Sequence, residues 1–288
     1  MKIRNDKKPE WLKIKLDTSG DYSEVGRIVK EHGLHTICSS GMCPNKSECW
    51  SRGTATFMIL GEICTRSCKF CATITGKPLE PDQSEPSALA RSVSLMKLKH
   101  CVITSVDRDD LPDGGASHWA KVIKECRKVN PDTTIEVLIP DFDGKPELID
   151  LVLEAGPDIV AHNIETVSRL TPQVRSRAKY PVSMQTIKHI SQRGFRSKSG
   201  LMLGLGESEE EILETLLDLR HNGCEIVTIG QYLRPTLKHL EVAEYVTPEK
   251  FAQYKDIALK VGFTHAESGP LVRSSYMADK AVAGTSKN

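Results

Sequence analysis

The feature that most restricts the fold of this 288-residue chain is an alternation that begins near Ala55. Continuous apolar runs occur at Ala55–Leu60, Cys101–Val106, Thr134–Ile139, Ile159–Ile164, Ser199–Leu205 and Glu225–Leu233. Between and after them lie stretches with helical periodicity, near Ser87–Leu98, His118–Lys128, Pro146–Glu154, Pro181–Arg193, Glu209–Asn222 and Thr247–Val261. Strands buried on both faces read as unbroken apolar runs, because crossover helices cover a parallel sheet. Six such units in succession predict an α/β fold, an incomplete (β/α)6 TIM-like barrel, since a full barrel needs eight. A doubly wound open sheet is the alternative arrangement. The expected division is an N-terminal extension over residues 1–54, the partial barrel over 55–264 and a C-terminal extension over 265–288. Ahead of the barrel, Trp11, Leu12, Ile14 and Leu16 are core candidates, and Asp21 can cap a helix over Tyr22–Glu31.

A formal net charge of +1 provides no basic field of the kind that draws nucleic acid or a membrane surface. The chain contains no apolar run of about 18 residues, the length a membrane span needs. Its first ten residues, MKIRNDKKPE, lack a secretory apolar core and carry acids that transit peptides avoid. Nine cysteines in a chain this long do not make a secreted disulfide scaffold, so the expected compartment is a reducing cytoplasm, or an organelle matrix if a targeting segment has been removed.

Six of those nine cysteines form two triplets, C-x4-C-x5-C at Cys38, Cys43 and Cys49, and C-x3-C-x2-C at Cys64, Cys68 and Cys71. Each is one thiolate short of the four ligands taken by tetrahedral zinc or a cubane iron–sulfur cluster. The missing ligand comes from elsewhere in the chain, or the position is left open for a substrate. The second triplet follows the first strand run, at the end of a barrel strand where α/β folds build active sites. A zinc site remains the plainer reading, although the paired C-x2-C knuckles favoured by structural zinc do not occur.

The second triplet, in GEICTRSCKFCA with Phe70 before its last cysteine, resembles the signature of the radical S-adenosylmethionine (radical SAM) enzymes. With the first triplet, the combination resembles the lipoyl synthase family. Further shared motifs are VITSVDRDDLPDGGA, HNIETV, KSGLMLGLGE, QYLRPT and GPLVRSSY, and the likeness runs from about residue 35 to 280. The resemblance implies two [4Fe-4S] clusters and SAM as cofactors. One cluster is held by Cys64, Cys68 and Cys71, with an open iron for SAM. The other, auxiliary cluster is held by Cys38, Cys43 and Cys49, with Ser275 of RSSY as its fourth ligand and Ser274 the weaker candidate. A hard alkoxide beside soft thiolates makes a labile bond, which suits a cluster that must be opened.

The same resemblance places SAM contacts at Phe70, Thr104, Ser105, Asn163, Glu165, Gly204, Gly206 and Glu207. It implies insertion of two sulfur atoms, at C6 and C8 of an octanoyl chain amide-linked to a lysine, with the auxiliary cluster as sulfur donor. Implied partners are octanoylated lipoyl carrier domains (the glycine cleavage H protein and 2-oxoacid dehydrogenase E2 subunits), an electron donor such as flavodoxin or ferredoxin, and an iron–sulfur carrier; nucleic acid and membrane are not expected. Arg175, Arg177, Lys198 and Arg234 are candidates for steering an acidic carrier or the SAM carboxylate, and Arg273 for offsetting cluster charge. Cys101, Cys126 and Cys224 stand alone and read as small buried apolar residues. A biotin-synthase-like sulfur-inserting enzyme and a non-catalytic zinc module are the competing readings.

Overall fold

The computed structural model describes residues 8–12, 27, 45–51, 54–276 and 278. A 3-10 turn at Glu10–Leu12 comes first; Leu12 is buried and Trp11 is 41% exposed. Ile14, Leu16 and all but one residue of the expected helix at 22–31 lie outside the described residues. Helix α1 (Lys46–Ser51) then leads into strand β1 (Thr54–Ile59). A two-residue parallel ribbon follows, β2 (Ile63–Cys64) with β3 (Ile74–Thr75), and brackets the second cysteine triplet.

Thereafter strand and helix alternate. Helix α2 (Glu85–Leu95) precedes β4 (His100–Ser105), α3 (Ala116–Val129) precedes β5 (Thr134–Leu138), and α4 (Pro146–Leu153) precedes β6 (Ile159–Ala161). The short α5 (Thr171–Val174) and α6 (Tyr180–Gln192) lead to β7 (Arg196–Leu203), α7 (Glu209–His221) to β8 (Ile226–Gln231), and α8 (Pro248–Val261) to β9 (His265–Gly269). Helix starts follow local chemistry. Ser208 and Glu211 form a reciprocal capping box on α7, Thr247 caps α8, and Gly262 ends α8 in the left-handed region at φ 105°.

Seven strands form one parallel sheet in the order β1-β4-β5-β6-β7-β8-β9, the sequential order of a barrel wall left open between β1 and β9. The period of two along each strand separates two environments. Outward residues such as Phe57, Ile103, Val137, Val160, Leu201 and Ile229 are buried beneath the helices. Inward residues, among them Met58, Thr104, Leu138, Ala161, Met202 and Gly230, line a central cavity.

Two differences from the sequence reading have local causes. The stretch from His265, expected in the C-terminal extension, forms a seventh strand, from Ile226↔His265 to Gly230↔Gly269. Its sequence HAESG buries one apolar residue, Ala266, because an edge strand needs little apolar cover. Strand β6 stops at Ala161 rather than Ile164. There the His162 ring turns to Ile139 O and Ser183 Oγ, both at 2.9 Å, and Glu165 takes φ 68°. The three isolated cysteines are fully buried in the sheet and helix layers. Among the described residues no helix is long and apolar enough to cross a membrane.

Candidate active site at the barrel mouth

The cysteine loop is launched by a strained turn. Leu60 and Gly61, directly after β1, both adopt positive φ, 67° and 91°. A leucine there is costly, and neighbouring groups hold it in place. Its N–H donates to Glu85 Oε2 at 2.9 Å, its carbonyl accepts from Arg108 Nη1 at 3.2 Å, and its side chain packs so tightly on Gly115 that a Cβ there would stand 2.6 Å from Leu60 Cδ1. His118 Nε2 approaches the same Glu85 oxygen at 2.6 Å.

Beyond the turn, Arg66 ties the loop to the ends of β4 and β5. Its guanidinium donates to Asp109 at 2.9 and 2.8 Å and to Asp141 at 2.9 Å, and lies 3.4 Å from Asp107. The loop is also strapped from above, where His239 Nε2 lies 2.9 Å from Cys71 O and Leu240 N–H donates to Lys69 O. This Arg66 hub was missed in the sequence, although a basic residue inside a cysteine loop and Asp107 and Asp109 of VDRDD were its visible signal.

Cys64, Cys68 and Cys71 all line one cavity of 580 Å³. Burial pushes the Cys64 thiol up to about 11, and the charges of Asp107 and Cys71 add to it, against N–H donors at Arg66 and Asp107 3.4 and 3.3 Å from the sulfur. Burial also raises Cys71, aided by Cys68 and Glu165. Burial disfavours ionisation of Cys64 and Cys71 alone, and all three sulfurs face one cavity, which fits a polycationic cluster that binds them as thiolates.

The cavity also fits a polar ligand. Ser105 Oγ and Asn163 Oδ1 are buried on its wall with no hydrogen-bond partner in the protein, an arrangement that calls for a bound group. Phe70, Thr104 and Glu165 share the wall. Burial raises the Glu165 carboxyl above its usual range, with Arg175 opposing. Gly204, Gly206 and Glu207 do not line it. The Glu207 carboxylate folds back onto the N–H groups of Gly204 and Leu205, and a Cβ on Gly204 would collide with the Gln231 amide and the Glu244 carbonyl. That turn is packed by its own chain rather than held open.

The C-terminal segment crosses the same opening. Val272, Arg273, Ser274 and Ser275 line the cavity, and Val272 O passes so close to Gly230 that any Cβ there would collide with it. The segment is bonded to α1 and the residue before it, since Asn45 Nδ2 donates to Leu271 O at 2.6 Å and Tyr276 Oη lies 3.3 Å from both Glu48 carboxylate oxygens. Half-buried Cys49 is on that helix, near enough that, after burial and Glu48, its charge helps push Tyr276 up to about 12. Cys38 and Cys43 lie outside the described residues.

The four steering candidates separate. Lys198 is buried in an ion pair with Glu136 at 2.6 Å and is not available to a carrier or to a SAM carboxylate. Its β7 position points inward, where an unpaired ammonium would be too costly. Arg177 is exposed and pairs with Asp143. Arg175 and Arg234 line the cavity, with Arg175 donating to Ser183 Oγ and Arg234 to His239 O, both at 2.9 Å.

Residues 58–219 match the radical SAM superfamily. The lipoyl synthase of Bacteroides thetaiotaomicron is 60% identical over 276 residues, covering 96% of this chain and 98% of that protein. The lipoyl synthase of Bacteroides fragilis is 59% identical over 286 residues, covering 98% and 99%. The chain belongs to the lipoyl synthase family of radical SAM enzymes. The fold of this lipoyl synthase family member is shared by SuiB of Streptococcus suis, solved with S-adenosylmethionine bound, at a TM-score of 0.58 and 8% identity over 77% of this chain and 53% of that one. A radical SAM enzyme employs SAM and a [4Fe-4S] cluster, and the cysteine loop and cavity wall suit both.

Proposed function

We propose that this enzyme inserts two sulfur atoms, at C6 and C8 of an octanoyl chain amide-linked to a lysine of a lipoyl carrier domain. The observation that carries the reading beyond a generic radical SAM site is the junction at the mouth. There Asn45–Leu271 and Tyr276–Glu48 join the helix bearing Cys49 to the segment bearing Ser275, on the rim of the cavity that holds the other cysteine triplet. In this reading Cys64, Cys68 and Cys71 hold the first cluster, and Cys38, Cys43, Cys49 and Ser275 hold a second.

When bound, the first cluster supplies the electron that cleaves SAM to methionine and a 5′-deoxyadenosyl radical, and the second supplies the sulfur. The chain's own residues position and shield. Ser105 and Asn163 offer their unpaired polar atoms to SAM, with Phe70, Thr104 and Glu165 beside them. Glu207 and the two glycines fix the turn behind that wall and act through it. The apolar wall of Met58, Leu138, Ala161 and Met202 receives the alkyl chain and keeps water from it. Arg273 lines the cavity close to the serine pair, where its charge offsets that of a cluster.

Octanoylated H protein and E2 domains would present the substrate, a flavodoxin or ferredoxin would deliver electrons, and an iron–sulfur carrier would rebuild the consumed cluster. A reducing cytoplasm suits thiol ligands of this kind. Anaerobic incubation with SAM, a reductant and an octanoyl-lysine peptide, followed by mass spectrometry, tests the reading. The expected product carries two sulfur atoms, from protein with about eight irons per chain, as two cubanes require. Active SAM cleavage without sulfur gain would refute it.

A further inference from the structure

Barrel interiors of this kind are filled mainly by branched apolar side chains. Here inward positions on β4, β5 and β7 carry ionisable side chains. Glu136 on β5 and Lys198 on β7 are 1% and 2% exposed, and Nζ lies 2.6 Å from Oε1. His100 on β4 adds its Nε2 at 3.2 Å from Oε2. Burial opposes ionisation of Glu136, but Lys198 and His100 outweigh it and hold the carboxyl at about 2. An apolar pair of similar volume in such a place is often neutral or stabilising, so packing alone does not account for the charges. They do alter the inner end of the cavity. Nearer the mouth its wall is apolar, with Met58, Leu138, Ala161 and Met202; deeper it reaches Glu136, with Val102 beside it on β4 and Thr56 and Thr228 elsewhere on the same wall.

We propose that the Glu136–Lys198–His100 layer is the stop that sets the length of acyl chain this barrel accepts. The inference rests on the octanoyl-lysine reading above. Each methylene laid on the apolar wall gains roughly fourfold in affinity. A methylene pushed past it meets charged groups whose partners are one another, and parting them leaves a buried charge unpaired. The gain per carbon therefore ends at this layer.

The test uses protein reconstituted with its clusters, with SAM present and reductant omitted, so that binding is read without turnover. Dissociation constants are measured for hexanoyl-, octanoyl- and decanoyl-lysine peptides. In the paired variant E136L/K198M the preference for decanoyl over octanoyl should rise by about fifteenfold, what two added methylenes at roughly fourfold each gain on apolar burial. Ala161→Val, on the cavity wall of β6 and paired in register with Lys198, should move the preference the other way, towards hexanoyl, by a similar factor. Should the paired variant fail to fold, Ala161→Val decides alone. If the unaltered protein makes the two-sulfur product yet the chain-length ratios stay within about twofold in the folded variants, the stop is overturned and the activity stands. If the unaltered protein makes no such product, both fall.

Discussion

Lys198→Met should destabilise the fold with a distinctive pH signature. Glu136, ordinarily near 4.5, is held at about 2 in the folded protein, where burial would raise it but Lys198, then His100, lower it. A depressed carboxylate contributes stability that is complete above its unfolded value and is lost as pH falls through about 2. Its ionised form is thus worth about 3 kcal/mol at neutral pH. Removing the ammonium leaves a buried carboxylate facing its own desolvation, at an expected cost of about 3–5 kcal/mol. The same change reverses the sign of the linkage. With burial dominant, the carboxyl rises above its unfolded value, so the variant regains stability on protonation and loses it as pH rises. Urea unfolding followed by circular dichroism, variant against unaltered protein, should show a deficit that is larger at pH 8 than at pH 5. A deficit that is constant or grows towards acid would refute the reasoning, as would one below about 1 kcal/mol, the range of surface ion pairs.

Other expectations concern the mouth. Cys49→Ala should leave SAM cleavage largely intact and abolish the sulfur product, whereas Cys68→Ala should abolish both; liquid chromatography of 5′-deoxyadenosine and mass spectrometry of the peptide distinguish them, and equal loss of cleavage in two folded variants refutes the division. Gly230→Ala places a methyl against Val272 O, so it should displace the serine-bearing segment and lower the iron content from about eight towards four per chain while SAM cleavage persists. Glu85→Ala removes the acceptor for the Leu60 N–H at 2.9 Å and should cost about 1–3 kcal/mol with weakened loading of the first cluster, read by thermal melting and absorbance near 400 nm; an unchanged melting temperature would show that the turn holds itself.

Much of this protein was legible without coordinates, for a physical reason. Period-two burial and helix caps are local properties, so the alternation of strands and helices from Ala55 onward is written in consecutive residues. The cysteine triplets are equally local, because the three thiols of each are spaced within a dozen residues. Strand β9 was not legible, since an edge strand has so little apolar character that HAESG reads as a loop. Lys198 was also opaque. Its charge suggests an exposed face, and only the folded barrel, with β6 between the two strands, brings the Glu136 side chain of β5 to it. Nor could sequence spacing show that Tyr276 reaches Glu48, that Arg66 gathers aspartates from two strand ends, or that GLGE packs against its own chain. The sequence by itself determined a partial barrel carrying cysteine ligands at a strand end. Tertiary structure decided which polar groups face the cavity and which charges are locked away. Side-chain orientation between distant strands is set by barrel closure, and no local pattern encodes it.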